Sequence, residues 1–303
     1  MQLIRYQSTS GVVAVALASE NQLIARPLRP VISLHELLHM RLDSLRRSIE
    51  QAIRLTVYQK EKFDGAIQHL LAPLDGSTEV WGAGMTYKRS GKGKRQESSS
   101  STPDIYSHVY KAKRPELFFK ANAHRVAGPE SPVVMRADSS LNVPEAGFVA
   151  VVNCYGEIVG YTIGNYMNSQ SLTEENLLYL SQAKVYTGCC ALGPSITPAW
   201  EVSNPYKLKI VMTIERNEKK VWKGATSTRE LRRKLDDLIA YLFREDDFPD
   251  GVLLSTGVAL TPESSFILQA GDIIDITIEN LGTLRNSVVQ GKGAFVAHLP
   301  HNA

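Results

Sequence analysis

The chain has 303 residues, enough for one large domain or for a main domain with a smaller attachment, and 43% of them are hydrophobic. A formal net charge of +3 at pH 7 is small for this length, which excludes proteins that bind nucleic acid or acidic membranes through overall charge. Three cysteines, an odd number, do not make the disulfide framework of a small secreted protein, so we expect a soluble cytoplasmic protein.

The N-terminal residues alternate between apolar and polar side chains, which predicts a β-hairpin. The apolar run at 11–18 has eight residues, far fewer than the roughly 20 that a membrane-spanning helix needs. We therefore expect no membrane association from this segment.

Ser33 and Glu36 are three residues apart, the spacing of a helix capping box. The apolar residues that follow at helical spacing are Leu38, Leu42, Leu45, Ile49 and Ile53. This pattern predicts one amphipathic helix, with a second helix over residues 56–72. The Pro-Leu-Asp-Gly turn at 73–76 then indicates a domain boundary near residue 76.

Beyond residue 76, short β-prone runs separated by Gly, Pro and Asn predict a mainly β domain. These runs cover residues 148–152, 157–163, 208–214, 252–256 and 273–278. A second capping box, Ser227 with Glu230, predicts a helix that ends before Pro249. The fold class is thus mainly β (α+β), with a small α/β domain at 1–75 and a larger domain at 76–303.

Several segments carry a family resemblance through their order and spacing. They are VWGAGMTYKRS (80–90), PELFFKANAHRVAGP (115–129), RADSSLNVPEAG (136–147), NCYGEIVGYTIGN (153–165), AKVYTGCCALGP (183–194), STGVAL (255–260) and IENLGTLRNSV (278–288). Together they resemble the fumarylacetoacetate hydrolase superfamily, and most closely its 2-keto-3-deoxy-sugar-acid (2-dehydro-3-deoxy-D-arabinonate) dehydratase branch. The resemblance implies a mixed β-roll, a divalent cation at its mouth, a 2-keto acid substrate and a homodimer.

In this family the cation is held by a Glu-x-Glu pair and a later aspartate. Residues two apart on a strand share a face, so such carboxylates converge on one hard cation. Here the corresponding positions are Glu145, Gly147 and Tyr166, and only Glu145 keeps a carboxylate. We therefore expect no cofactor, unless replacement ligands such as Asp138 and backbone carbonyls hold Mg²⁺ or another divalent cation.

Lys184 matches the family lysine that approaches the keto acid and assists proton transfer or stabilises charge. The aspartate expected three residues later is Thr187, so another acidic group is missing. Without a cation, Glu145 and Lys184 are expected to form a direct ion pair, a hypothesis that the two side chains pointing apart would overturn.

The resemblance also assigns roles outside the metal positions. Glu97, on a segment at about 88–101 expected to be a mobile lid, matches a proton-shuttling residue, and equally fits a solvated loop charge. His124 and Arg125 match a substrate-facing pair, although His124 also fits a structural histidine. Tyr166 either donates a hydrogen bond to a keto oxygen or fills a cavity.

Three further residues in matched segments are predicted to bind substrate: Lys120, Arg136 and Thr256. Lys120 and Arg136 suit a carboxylate, and each equally fits a structural ion pair.

Two function classes follow. The first is a lyase (dehydratase) or a hydrolase of carbon–carbon bonds that acts on a 2-keto acid through an enolate. The second is a non-catalytic, metal-free relative that binds a ligand or a partner. The basic run at 88–95 has no interleaved aromatic residues, so no nucleic-acid partner is expected.

Overall fold

The structure is a computed structural model that describes residues 1–19, 22–27, 33–58, 67–88 and 108–296. Its strands are β1 (Gln2–Ser8), β2 (Val13–Ser19), β3 (Gln22–Pro27), β4 (Ile67–Leu71), β5 (Glu79–Gly84), β6 (Glu116–Asn122), β7 (Val126–Ala127), β8 (Val133–Met135), β9 (Asn142–Val152), β10 (Ile158–Ser169), β11 (Cys190–Pro198), β12 (Lys209–Arg216), β13 (Lys219–Ser227), β14 (Val252–Ser255), β15 (Ile273–Ile278) and β16 (Gly282–Gln290). Its α-helices are α1 (Leu34–Leu38), α2 (Leu42–Tyr58), α3 (Gln170–Glu175), α4 (Leu180–Lys184), α5 (Leu235–Leu242) and α6 (Lys292–Val296).

The strands form two sheets. The larger has the order β3-β2-β1-β11-β10-β9-β14-β5-β6, with β4 beside β1 and β7 beside β11, and the smaller has the order β13-β12-β15-β16-β8. Most neighbours are antiparallel, but three pairs are parallel: β14 with β5, β16 with β8, and β11 with β7. The predicted mainly β, mixed-sheet fold class is confirmed.

The two faces of β9 bury different cores because successive side chains of a strand point to opposite sides. Phe148 and Ala150 pack with Ile210 and Ile276 of the smaller sheet. The opposite face, with Val149 and Val151, packs together with Leu253 of β14 against the N-terminal helices, whose buried residues there include Leu34, Leu45 and Ile49. Full burial of a Val, Leu, Ile or Phe side chain contributes about 1.5–3 kcal/mol to the free energy of folding. The second core therefore contains residues from both sides of the boundary predicted near 76, and that boundary stays a prediction.

The predicted strands are confirmed, including the N-terminal hairpin of β1 and β2, whose pairing runs from Gln2–Ala18 to Gln7–Val13. The run predicted at 148–152 lies within β9, and the run predicted at 157–163 starts one residue before β10; the two strands pair from one end to the other. None of the described helices is long and apolar enough to cross a membrane.

The prediction of one continuous N-terminal helix from Ser33 onward is wrong. The capping box forms as predicted, but α1 ends at Leu38 and α2 starts at Leu42. The Leu38 carbonyl accepts from the Cys154 amide at 3.0 Å, and the Met40 carbonyl accepts from Asn153 Nδ2 at 2.8 Å. Hydrogen bonds with the turn after β9 thus replace those that would continue α1 into α2.

The helix predicted over 56–72 is also wrong for the part that the structure describes beyond Tyr58. Residues 67–71 form β4, which pairs antiparallel with β1. Pairing with an available strand edge overrides the local helical pattern there.

The second capping box does not form. The Ser227 hydroxyl accepts from the Arg229 amide at 3.2 Å and caps a short 3₁₀ turn at 228–230. Leu231 then becomes extended and bridges to Tyr87, so α5 begins only at Leu235.

Candidate active site

The candidate site lies on the face of β9 and β10 that points toward the N-terminal helices. Tyr166 stands opposite Glu145 in the strand register, and Gly164 stands opposite Gly147. Alternation along a strand places all four residues on one face. The sheet therefore brings together the positions that the sequence pattern singled out.

Lys184, the last residue of α4, points back to this face. Its Nζ lies 2.7 and 2.9 Å from the two carboxylate oxygens of Glu145. The two side chains are 12% and 9% exposed, so the pair is largely withdrawn from water. The predicted ion pair is confirmed. A desolvated pair persists only when its geometry is good, and two short contacts from one ammonium satisfy that condition.

The Tyr166 ring lies across the two glycines. A methyl group on Gly147 would come within 2.5 Å of Tyr166 Cε2, and one on Gly164 within 2.5 Å of Cζ. Burial raises the pKa of the Tyr166 phenol well above its ordinary value, so the group is neutral. Its hydroxyl is buried, and a hydrogen bond with Ser255 lowers the pKa by less than burial raises it. The ring therefore fills the space beside Gly147, as the cavity-filling alternative expected.

Gly164 is a residue that the sequence analysis missed. A glycine inside a strand often marks a close approach by a side chain, and Gly164 stands inside β10 two residues before Tyr166. That signal, together with Gly147, was available in the sequence.

Lys120 does not present its charge to a pocket. It is 2% exposed, and its ammonium donates to the backbone carbonyls of Met167 and Cys189 at 3.3 Å and to that of Lys184. These acceptors match the three donors of an ammonium group. Lys120 thus anchors the backbone of Lys184, and its predicted contact with a substrate carboxylate stays a prediction.

Arg136 is likewise engaged within the protein. Its guanidinium contacts Asp138 through two bonds of 2.8 and 2.5 Å and donates to the Gln182 carbonyl at 3.1 Å. The hydrogen bond from Arg136 lowers the pKa of Asp138. Arg136 and Asp138 thus form an ion pair in which the Asp138 side chain is 65% exposed, and the predicted substrate contact of Arg136 stays a prediction.

Thr256 is fully buried, and its hydroxyl donates to the Phe148 carbonyl at 2.8 Å. The Tyr87 hydroxyl lies 3.2 Å from Thr256 Oγ1. Both hydroxyls are thus engaged inside the fold, and the predicted contact of Thr256 with substrate stays a prediction.

The remaining predicted residues lie elsewhere. His124 is exposed and Arg125 half-buried on a 3₁₀ turn at 123–125, directly after β6. Their predicted roles stay predictions. Glu97 and nearly all of the predicted lid lie outside the described residues.

The residues at the family's three metal positions do not fit a magnesium ion. Only Glu145 offers a carboxylate, and its two oxygens are bound by the Lys184 ammonium. Gly147 has no side-chain donor, and the neutral, buried Tyr166 phenol is a poor ligand for a hard cation. A positive charge is already present beside Glu145.

A cleft of about 280 Å³ lies between residues 139–142 and 267–270, with Met135 and Gln290 also on its wall. Of the residues predicted to act on substrate, none that the structure describes lines this cleft. The ion pair and this cleft are therefore separate features of the surface.

Known proteins show what the chain is similar to. Residues 80–289 match the fumarylacetoacetate (FAA) hydrolase C-terminal family. The chain is 45% identical over 221 residues to a probable 2-keto-3-deoxyxylonate dehydratase of Haloferax volcanii, covering 73% of this chain and 75% of that one. It is 40% identical over 214 residues to the 2-dehydro-3-deoxy-D-arabinonate dehydratase of Saccharolobus solfataricus, covering 70% and 72%.

A solved structure of a 2-keto-3-deoxy-D-arabinonate dehydratase, complexed with magnesium and 2,5-dioxopentanoate, superposes with a TM-score of 0.78 and 32% identity. It covers 96% of this chain and 99% of the other. The sequence match spans more than half of the chain, and the fold agrees over almost all of it. The chain belongs to the fumarylacetoacetate hydrolase C-terminal family.

Proposed function

We propose that the chain is a lyase that removes water from a 2-keto-3-deoxy sugar acid, with the Lys184–Glu145 pair at the reacting end of the substrate. The observation that carries the proposal is this pair, largely buried yet about one-tenth exposed on both side chains. The dehydratase names of the relatives with 45% and 40% identity support the reaction class and favour it over a non-catalytic role or a carbon–carbon hydrolase.

The chemistry of the substrate defines what the site must do. In a 2-keto-3-deoxy acid, the protons on C3 are acidic because they are next to the C2 ketone. Removing one gives an enolate, and collapse of the enolate expels the C4 hydroxyl, which takes up a proton and leaves as water. A positive charge near the C2 oxygen stabilises the enolate more than the ground state and so lowers the barrier.

Lys184 supplies that charge. When the keto acid enters, its oxygens compete with Glu145 for the ammonium, and Lys184 turns partly toward the C2 oxygen. Glu145 is then relieved of part of its ion pair and becomes a carboxylate base for the C3 proton. Lys120 holds the Lys184 backbone during this exchange through the carbonyl that it binds.

The same arrangement accounts for a reaction without a divalent cation in this pocket. Because the donor set at Glu145, Gly147 and Tyr166 does not fit magnesium, the ammonium is the cation that faces the enolate. His124, Arg125 and Glu97 remain candidates for contacts with the rest of the substrate, and a homodimer remains the expected assembly.

The test is proton NMR in D₂O with chelator-treated protein and a panel of 2-keto-3-deoxy pentonates. Exchange of the C3 protons reports enolate formation, and loss of the C4 hydroxyl reports elimination. Lys184→Met is expected to reduce both by about 10²–10³-fold, the usual effect of losing one charge-stabilising donor. Lys223→Met, at an exposed position on β13, is the matched control and should change neither.

Two negative results have different meanings. Wild-type protein that neither exchanges nor eliminates with any member of the panel contradicts the proposed reaction. Activity that disappears with chelator and returns with magnesium leaves the reaction standing but contradicts the assignment of the cationic role to Lys184.

A further inference from the structure

A second cluster of potential ligands lies away from the ion pair, where α1 meets the turn before β14. His35 and His39 are four residues apart, so successive turns place them on the same side of the helix. Their ring centroids are 4.2 Å apart. Asp250, which is distant in the chain from both histidines, faces both rings from the turn.

The distances suit a small metal ion. Asp250 Oδ1 lies 3.2 Å from His35 Nδ1 and 3.8 Å from His39 Nε2. One ligand atom from each residue lies within 4.8 Å of the others. Tetrahedral zinc with bonds of about 2.0–2.1 Å needs ligand atoms roughly 3.3 Å apart. To complete this geometry, His39 Nε2 must approach Asp250 by about 0.5 Å, and the two imidazole nitrogens, which lie within 4.8 Å of each other, must approach by at most about 1.5 Å.

Hydrogen bonds around the cluster orient the ligands. His39 Nδ1 is 2.8 Å from the His35 carbonyl, and because a carbonyl only accepts, Nδ1 must carry the proton. The lone pair of His39 is therefore on Nε2, which faces Asp250. The second oxygen of Asp250 accepts from the Ser77 hydroxyl, and the Asp250 carbonyl accepts from Thr78 Oγ1 at 3.2 Å. Metal-binding histidines and carboxylates typically have such outer partners.

The backbone that carries the ligands is well anchored. The Ser33–Glu36 capping box closes the start of α1, and Leu34, Leu37 and Leu38 are buried beneath it. The imidazoles stay accessible, with side chains 55% and 42% exposed, while Asp250 is 18% exposed. Solvent can therefore deliver an ion and supply water as a fourth ligand.

We propose that His35, His39 and Asp250 bind one divalent transition-metal ion of the zinc type, which clamps α1 to the turn before β14. Two imidazole nitrogens and one carboxylate oxygen favour zinc, nickel or copper, and disfavour magnesium, which prefers oxygen ligands. The site is distinct from the Lys184–Glu145 pair and does not depend on the proposed lyase activity.

The experiment uses untagged, full-length protein stripped with chelator and then titrated calorimetrically with zinc chloride or magnesium chloride. One equivalent of zinc is expected to bind, with no comparable magnesium binding. His35→Ala and Asp250→Asn should each weaken zinc binding by more than about 100-fold, because losing a ligand exceeds the 10–100-fold effect of losing an outer partner. Ser77→Ala should fall within that 10–100-fold range.

His69→Ala is the matched control, since His69 is an exposed histidine on β4 outside the cluster, and it should bind zinc like the wild type. Zinc should also raise the melting temperature of the wild type and of His69→Ala but not of His35→Ala. Circular dichroism checks that each variant is folded. Wild-type protein without stoichiometric zinc binding, or folded His35→Ala and Asp250→Asn variants that bind as tightly as wild type, would overturn the proposal.

Discussion

Replacing Gly147 by alanine is expected to destabilise the fold because the new methyl group meets the Tyr166 ring. The added carbon would lie 2.5 Å from Cε2 and 3.2 Å from Cδ2 of Tyr166, whereas carbon atoms in contact prefer about 3.5–4.0 Å. The ring cannot simply retreat, because it also rests on Gly164. Such overpacking of a filled interior typically costs about 1–3 kcal/mol.

A double-mutant cycle in urea isolates this contact. Tyr166→Ala alone should cost about 3–5 kcal/mol, as other large aromatic truncations do, and in that background Gly147→Ala should cost close to nothing. Gly293→Ala is the control, since no atom lies within 4 Å of the added carbon. If Gly147→Ala is neutral in the wild type, or equally costly with and without the Tyr166 ring, the account of this contact is refuted.

Three further predictions concern the same fold. Gly147→Glu combined with Tyr166→Asp restores a three-carboxylate set, so calorimetry should detect magnesium binding absent from wild type, and its absence would show that other features block the ion. Thr256→Val should lower the unfolding free energy by about 1–3 kcal/mol, because it removes the hydroxyl that donates to the Phe148 carbonyl and leaves the buried Tyr87 hydroxyl without that partner. KM should stay unchanged if the role of Thr256 is internal, whereas a raised KM would support the predicted substrate contact. Burial raises the pKa of Glu157, but hydrogen bonds from Asn153, Leu42 and Arg41 stabilise the ionised carboxylate by more and bring the pKa below 4.5. Its stabilisation should be complete above that pH and lost on further acidification, so the stability deficit of Glu157→Gln should shrink in acid, and a constant deficit would contradict the linkage.

The β-strands and the paired charges could be predicted from sequence because each depends on short-range pattern. Alternation along a strand predicts that Glu145 and Gly147 share one face, and the missing carboxylates leave Lys184 as the natural partner of Glu145. Contacts between distant segments were not predictable in this way. Asn153 and Cys154 interrupt the N-terminal helix, and nothing in the residues around Leu38 signals their approach.

The burial of polar side chains is the second feature that the sequence does not predict. The segment around Lys120 shows a cation between apolar residues, which fits a ligand contact as well as an internal one. Only the fold reveals that three backbone carbonyls converge on that ammonium. The same applies to Thr256, whose hydroxyl satisfies the Phe148 carbonyl inside the protein.

The core shared between the N-terminal helices and β9 has a consequence for how the protein can vary. Tyr166, Val149 and Leu45 belong to one packed cluster, and packed interiors transmit small displacements instead of absorbing them. Substitutions under α2 can therefore shift the strand that carries Glu145 without touching the reacting groups. Natural variation in the first 60 residues would then tune turnover from a distance, and the two halves of the chain should melt together in one cooperative transition.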